Sequence, residues 1–339
     1  MRLIRPSYEI IEQGPGLQGI YDMIERCGKT SYKSEPKGGE VAKRFVEARA
    51  KERHGAVLEF GTVYLQLPYQ DPYRFSGETY DWYLHDATEF YKKNKFSKVY
   101  SEPLGRANPY YVTTNYRVLV ENNRLDDLKY LCEPTEYHEK RYAVKFTTDI
   151  GVGREFLRHR VMSMVQESTR YVNYMKEKFG EECTFVIPSW IPEEKLAEGE
   201  NISWWDGDWV NMDKLKIVKY GAAELEHDPV EAWLNALNAA ELNYRILINL
   251  GWTAQQARGV LPLSTKTEFV LCGFEDAWIH FFRLRSDISA TGKPHPQAQE
   301  LANPLRNEFI ERGYITEEAL KHDVFCAFDV CAADNDLKQ

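Results

Sequence analysis

Between Gly151 and Tyr174 the chain carries Arg154, Arg158, His159, Arg160 and Arg170, four guanidinium groups and an imidazole within 17 residues. A planar guanidinium fork meets phosphate in bidentate fashion, so two or three converging arginines form a pocket for a mono- or diphosphate. Ser163, Ser168 and Thr169 add hydroxyl donors to the same segment. The competing reading of any arginine-rich helix is a solvated face with exposed ion pairs. Phe156, Leu157, Val161, Met162 and Met164 interleave with the cations and require part of the segment to be buried. A buried guanidinium needs an anion.

The cluster is local. The whole chain has 43 Lys and Arg against 52 Asp and Glu, a net charge of −9. Such a balance excludes a general coat for a nucleic-acid polymer, because neutralising phosphates needs clustered cation. No stretch approaches the roughly 20 apolar residues of a membrane span, and Met1 to Ile10 lacks the apolar run of a signal peptide. Cys27, Cys132, Cys183, Cys272, Cys326 and Cys331 are scattered, with no C-x-x-C pair. They read as reduced thiols of a cytoplasmic protein, with neither a disulfide framework nor a metal site.

The elements that must position these residues follow from apolar spacing and capping residues. A period near 3.6 predicts helices over 17–30 and 40–54. Strands are expected over 58–67, over 110–120 (with its end open to helix) and over 142–148. Asp149 offers the N-cap of a helix running into Arg158, which places Arg154 and Arg158 on one face. Asp228-Pro229-x-Glu231 opens a helix to Leu250 that Gly251 ends, and Thr253-x-x-Gln256 caps a shorter one. A strand over 265–274, a helix over 275–285 and a helix over 296–312, interrupted by Pro304, complete the chain. Residues 68–109 and 172–227 read as insertions, the second holding Trp190, Trp204, Trp205 and Trp209 as lid, interface core or ring-stacking groups. With 43% apolar and 13% aromatic residues there is ample core for a single domain over 1–339. The class is α+β, a helix-rich core with a small mixed or antiparallel sheet.

Arg158-His159-Arg160-x-x-Ser163, followed by Gln166-x-Ser168-x-Arg170-Tyr171, resembles the signature R-H-R-x-x-S-x-N-E-x-S-x-R-Y of flavin-dependent thymidylate synthases. His54 to Glu59, Phe146-Thr147, Phe185 to Pro188, Ala257 to Pro262 and Arg283-Leu-Arg285 resemble further segments of that family in the same order. The likeness covers about residues 54–67 and 142–312. It implies an α/β core assembled as a homotetramer with shared active sites. It also implies transfer of a methylene from methylenetetrahydrofolate to C5 of dUMP, with FAD reduced by NADPH supplying the hydride that completes dTMP. Carried over by position, Arg158, His159, Arg160, Ser163, Gln166, His54 and His280 lie on the flavin side, Gln166 at a position that touches both ligands. Arg154, Glu155, Arg158, Ser168, Thr169, Arg170, Arg258 and Arg285 lie on the nucleotide side. Gln166, Ser168 and Arg170 sit closest to the reaction.

Several positions depart from the pattern. Val165 replaces the asparagine, Gln166 the glutamate, and Glu155 a glutamine; His280 stands where an asparagine is usual. Phe274-Glu275-Asp276 aligns with the family's N-x-R, putting an acid where a cation would meet the flavin pyrophosphate. Lys266 or Lys293 is a candidate replacement cation. These departures keep open another C5 one-carbon transferase acting on pyrimidine nucleotides, and a catalytically silent nucleotide-binding protein.

Overall fold

The computed structural model describes residues 1–68, 82–101, 109–177, 180–196, 229–289 and 292–321. In chain order the elements are β1 (Arg2–Ile4), β2 (Ser7–Ile11), α1 (Gly16–Thr30), α2 (Gly39–Lys51), α3 (Gly55–Leu58) and β3 (Thr62–Leu67). There follow α4 (Trp82–Lys93), β4 (Lys98–Tyr100), β5 (Tyr110–Asn115), α5 (Tyr116–Glu121), β6 (Arg141–Asp149), α6 (Ile150–Phe156), β7 (Ser163–Gln166) and β8 (Thr184–Val186). The last are α7 (Pro229–Asn249), α8 (Ala254–Ala257), β9 (Lys266–Phe274), α9 (Glu275–Arg285), α10 (Pro296–Glu311) and α11 (Glu317–Lys321). The class is α+β, as the sequence predicts, with short sheets of both senses among helices.

Two compact units divide the chain, each gathered from separate stretches. One takes Met1–Ser7, Thr147–Phe156 and Glu167–Glu268; the other takes the remainder, and the boundary falls inside β6 and inside β9.

In the first unit β1 pairs parallel with β8, Leu3 opposite Phe185. Leu3, Tyr174, Phe185, Leu237 and Tyr244 are all buried in its core, each apolar side chain contributing about 1.5–3 kcal/mol. Asp149 caps α6 as expected, its Oδ1 accepting from the Val152 amide at 2.8 Å. Helix α7 ends in a Schellman turn: Trp252 N donates to Leu247 O, Gly251 N donates to Ile248 O, and Gly251 adopts φ 92°. The capping box of Thr253 and Gln256 then starts α8. Asp228 and the tryptophans at 204, 205 and 209 lie outside the described residues, while Trp190 is exposed.

In the second unit β3, β5 and β4 form an antiparallel sheet, and a four-stranded sheet has the order β2-β6-β9-β7. Trp278, Phe281 and Phe282 of α9 pack on Phe146 and Phe309, and the Trp278 Nε1–H donates to Tyr142 O. Two expectations change here, and one left open, the end of the 110–120 strand, is decided. The strand starts at Thr62 instead of Leu58, because Gly55–Leu58 forms a helical turn and the chain passes α1 too closely at Gly61 for a side chain; a Cβ there would meet Ile20 at 2.7 Å. Residues 116–120 are helical, with Asn115 Oδ1 accepting from Val118 N as the cap. Pro304 does not interrupt α10, which stays helical because Leu301, Leu305 and Phe309 keep one face buried.

Candidate active site

In the first unit, the loop after β7 and the α8 segment, with Arg258 at the end of α8, are joined by an arginine from each side. Arg170 Nε–H donates to Gln255 Oε1 at 2.9 Å, and Arg258 Nη1–H donates to Thr169 Oγ1 at 3.0 Å. Ser168 Oγ accepts from the Arg170 amide, and the Arg170 guanidinium lies 5.6 Å from the Tyr171 ring centroid. Both acceptors are neutral, so neither cation is offset by its partner. Arg154 and Glu155 lie on α6, the former exposed and the latter half-buried.

Helix α6 stops at Phe156, so Arg158 lies in the following turn and shares no helix face with Arg154. The chain turns here to enter β7, with Met162 N donating to His159 O. Phe156 and Met162 are buried as expected, yet Arg154, Arg158, Arg160, Arg170 and Arg258 are exposed. Burial therefore does not force an anion onto them. Among the described residues none of the five pairs with a carboxylate, but exposed Arg2, Arg44 and Arg53 share that; what distinguishes the site is that four of the five fall within 17 residues and the fifth, Arg258, bonds Thr169 of that same stretch.

Close by in the same unit, Lys266 is buried between Glu167 at 2.9 Å and Glu268 at 2.6 Å. The two carboxylates outweigh the desolvation cost and push the ammonium pKa up. Lys266 is thus committed to its neighbours and is not a spare cation for a diphosphate. Lys293 is exposed.

In the second unit, His159 is only 4% exposed. Arg285 Nε–H donates to His159 Nε2 at 3.2 Å, and the rings of His280 and Phe281 lie at 5.6 and 5.0 Å. Burial, then Arg285, His280 and Arg158, pull the imidazole pKa down to about 3. A neutral ring that accepts at Nε2 carries its proton on Nδ1, and buried Nδ1 has no partner among the described residues. Asp287, an alternative partner for Arg285 by proximity in sequence, is taken by Arg306.

Ser163 is buried, and its Oγ accepts from Arg141 Nη2 at 3.1 Å. Arg141 also donates to Glu59 O and Thr62 Oγ1 and lies over Phe274. Arg141 carries no motif; its only signal was a cation opening a β-strand. Gln166 ends β7 opposite Phe269, and Val165 packs on the core. His54 is exposed at the N-cap of α3 without a side-chain capping bond. Asp276 at the start of α9 binds Lys98 at 2.9 Å; Lys98 also meets Glu139 at 3.0 Å and lies over Phe274. Lys98 comes from the stretch read as an insertion, so its pairing was invisible until β4 was placed. Glu275 beside it has a raised pKa from burial, then from Glu139 and Asp276.

Among the described residues no group of His, Cys, Asp or Glu could hold a metal ion, and no helix is long and apolar enough to cross a membrane. Residues 135–312 match the family described as thymidylate synthase complementing protein. A flavin-dependent thymidylate synthase of Thermosipho melanesiensis is 28% identical over 161 residues, covering 48% of this chain and 61% of that protein. One of Haloarcula marismortui is 25% identical over 176 residues, covering 50% and 63%. The alignment thus spans about three fifths of these relatives. A solved UMP/dUMP methylase of Streptomyces cacaoi, bound with 5-Br dUMP, superposes with a TM-score of 0.41 at 15% identity, covering 95% of this chain and 97% of that one.

Proposed function

The chain belongs to the thymidylate synthase complementing protein family, and from that premise we propose that it methylates dUMP to dTMP as a flavin-dependent thymidylate synthase. The observation that carries this is that Arg170 and Arg258, from segments far apart in an acidic chain, meet through neutral partners and keep their charge. Charge left uncompensated in this way suits a dianionic phosphate. On the nucleotide side Arg170 and Arg258 grip the phosphate from the loop and from the end of α8, with Ser168 and Thr169 as hydroxyl donors. Arg154, Glu155 and Arg285 complete that side by resemblance, and Gln166 with Ser168 and Arg170 orients and polarises the uracil.

The residues fit FAD in part. Arg158 and Arg160 are exposed cations for a pyrophosphate, and the orphaned His159 Nδ1–H is a buried donor for an acceptor atom of the ring or ribityl chain. Ser163, His54 and His280 belong to the same proposed side. The start of α9 does not fit: Glu139, Glu275 and Asp276 around Lys98 would repel a diphosphate. When bound, FAD reduced by NADPH would supply the hydride that completes the methyl group donated by methylenetetrahydrofolate. The chain's own part is binding, orienting and charge stabilisation. A cytoplasmic homotetramer with sites completed across subunits belongs to the same proposal.

A second reading, another C5 one-carbon transfer on a pyrimidine nucleotide, is favoured by Gln166 in place of the carboxylate and by the acidic start of α9. Absorbance of the purified protein separates flavoprotein from silent nucleotide binder. A flavin band that shifts on adding dUMP is expected; no band, even after incubation with FAD, would remove the flavin reading.

A further inference from the structure

Arg170 and Arg258 are each held by the other's segment, and always by a neutral atom. Helix α8 buries Ala254 and Ala257 and leaves Gln255 exposed on its other side, aimed at the 168–171 loop. Its N-terminus is locked by the Thr253–Gln256 capping box, which fixes where Gln255 starts from. The Gln255 amide oxygen takes the single Nε–H of Arg170 at 2.9 Å. That bond occupies the side-on edge and leaves the end-on Nη1 and Nη2 edge, which also matches two phosphate oxygens, without a partner among the described residues.

We propose that Gln255 is the positioning residue that presents Arg170 to the nucleotide phosphate, and that its neutrality sets how much of the arginine's charge the ligand sees. The inference rests on the reading of Arg170 as a phosphate-binding residue. A carboxylate at 255 would keep the geometry and take the charge, as Glu59 and Glu121 do for Arg117. A short side chain would keep the charge and lose the orientation.

The test is calorimetric titration of Gln255→Glu, Gln255→Ala, Arg170→Ala and the double variant R170A/Q255E with dUMP and with deoxyuridine, which lacks the phosphate. Melting temperatures of all four are compared with the parent. The expected result is a loss of at least tenfold in dUMP affinity for Gln255→Glu and a smaller loss, about threefold, for Gln255→Ala. Deoxyuridine binding should not change, and Gln255→Glu should have no further effect once Arg170 is alanine. Parental dUMP affinity in Gln255→Glu, with Arg170→Ala weakened, would overturn the proposal and leave the phosphate reading standing. Equal losses for dUMP and deoxyuridine would also overturn it, since they would mark general distortion. If Arg170→Ala binds dUMP like the parent, the phosphate reading itself fails and Gln255 falls with it.

Discussion

Arg285 donates from Nε to Nε2 of His159 at 3.2 Å, and this one bond settles where the imidazole proton sits. The ring is neutral, protonated on Nδ1, and buried against Phe281. A histidine inside an arginine-rich motif invites reading as one more cation, and here the neighbouring cations are part of what prevents it.

The first prediction is that His159 stays neutral throughout the working range. Its folded pKa near 3 lies below the unfolded value of about 6.5. Stability from this group is therefore complete above about pH 6.5 and is lost as pH falls toward 3, where only the unfolded chain takes up the proton. NMR titration should show no His159 transition between pH 5 and 8. His159→Asn should flatten the slope of unfolding free energy below pH 6; an unchanged slope would contradict the assignment.

A second expectation concerns the cations with neutral partners. Arg258→Ala gives up a charge-assisted fork of about 1.5–3 kcal/mol, so dUMP binding should weaken about 10- to 100-fold. Because no carboxylate is left unpaired, its unfolding free energy should stay within about 0.5 kcal/mol of the parent. Titration and urea denaturation on one preparation check both halves; a large stability loss with intact binding would reverse the roles.

How much of this was legible in the sequence depended on the range of each interaction. Asp149, Thr253, Gln256 and Gly251 act within a turn or two of their own position, so their caps were readable. The apolar run at Leu58 was misread because α3 and the close passage at Gly61 depend on α1, distant in sequence. The resembling segments name both members of His159–Arg285 and of Thr169–Arg258, but name Arg170, Ser163 and Asp276 without their partners. Gln255, Arg141 and Lys98 carry no motif of their own, and only the fold brings them to Arg170, Ser163 and Asp276. Interleaved apolar residues do not bury the arginines, for a related reason. A segment can bury Phe156 and Met162 while its arginines, at other positions in the turn, face outward.

The third prediction tests the ion triad of buried Glu167 and Lys266 with half-buried Glu268. Lys266→Met leaves the buried Glu167 carboxylate unpaired beside half-buried Glu268 and should cost about 3–5 kcal/mol. Adding Glu167→Gln should recover a substantial part. Chemical denaturation measures this; a Lys266→Met loss under 1 kcal/mol would show that the triad is hydrated.

A fourth prediction addresses the acidic start of α9. Removing negative charge there with Asp276→Asn should tighten FAD if the diphosphate passes nearby, by several-fold in fluorescence-quenching titrations. The effect should shrink as salt rises. Unchanged affinity at low salt would place the diphosphate elsewhere.

The central claim is that this chain moves a one-carbon group onto dUMP by flavin chemistry without a protein thiolate. Cys27 and Cys272 are fully buried and burial pushes both thiols up; Cys183 is pushed up to about 12. The most direct measurement is tritium release from [5-³H]dUMP by the protein with all six cysteines changed to serine, supplied with methylenetetrahydrofolate and NADPH, with and without FAD. The account predicts release that requires FAD and persists without cysteine. Release lost in the cysteine-free protein while it remains folded and flavin-bound, or release that proceeds without any flavin, would contradict it.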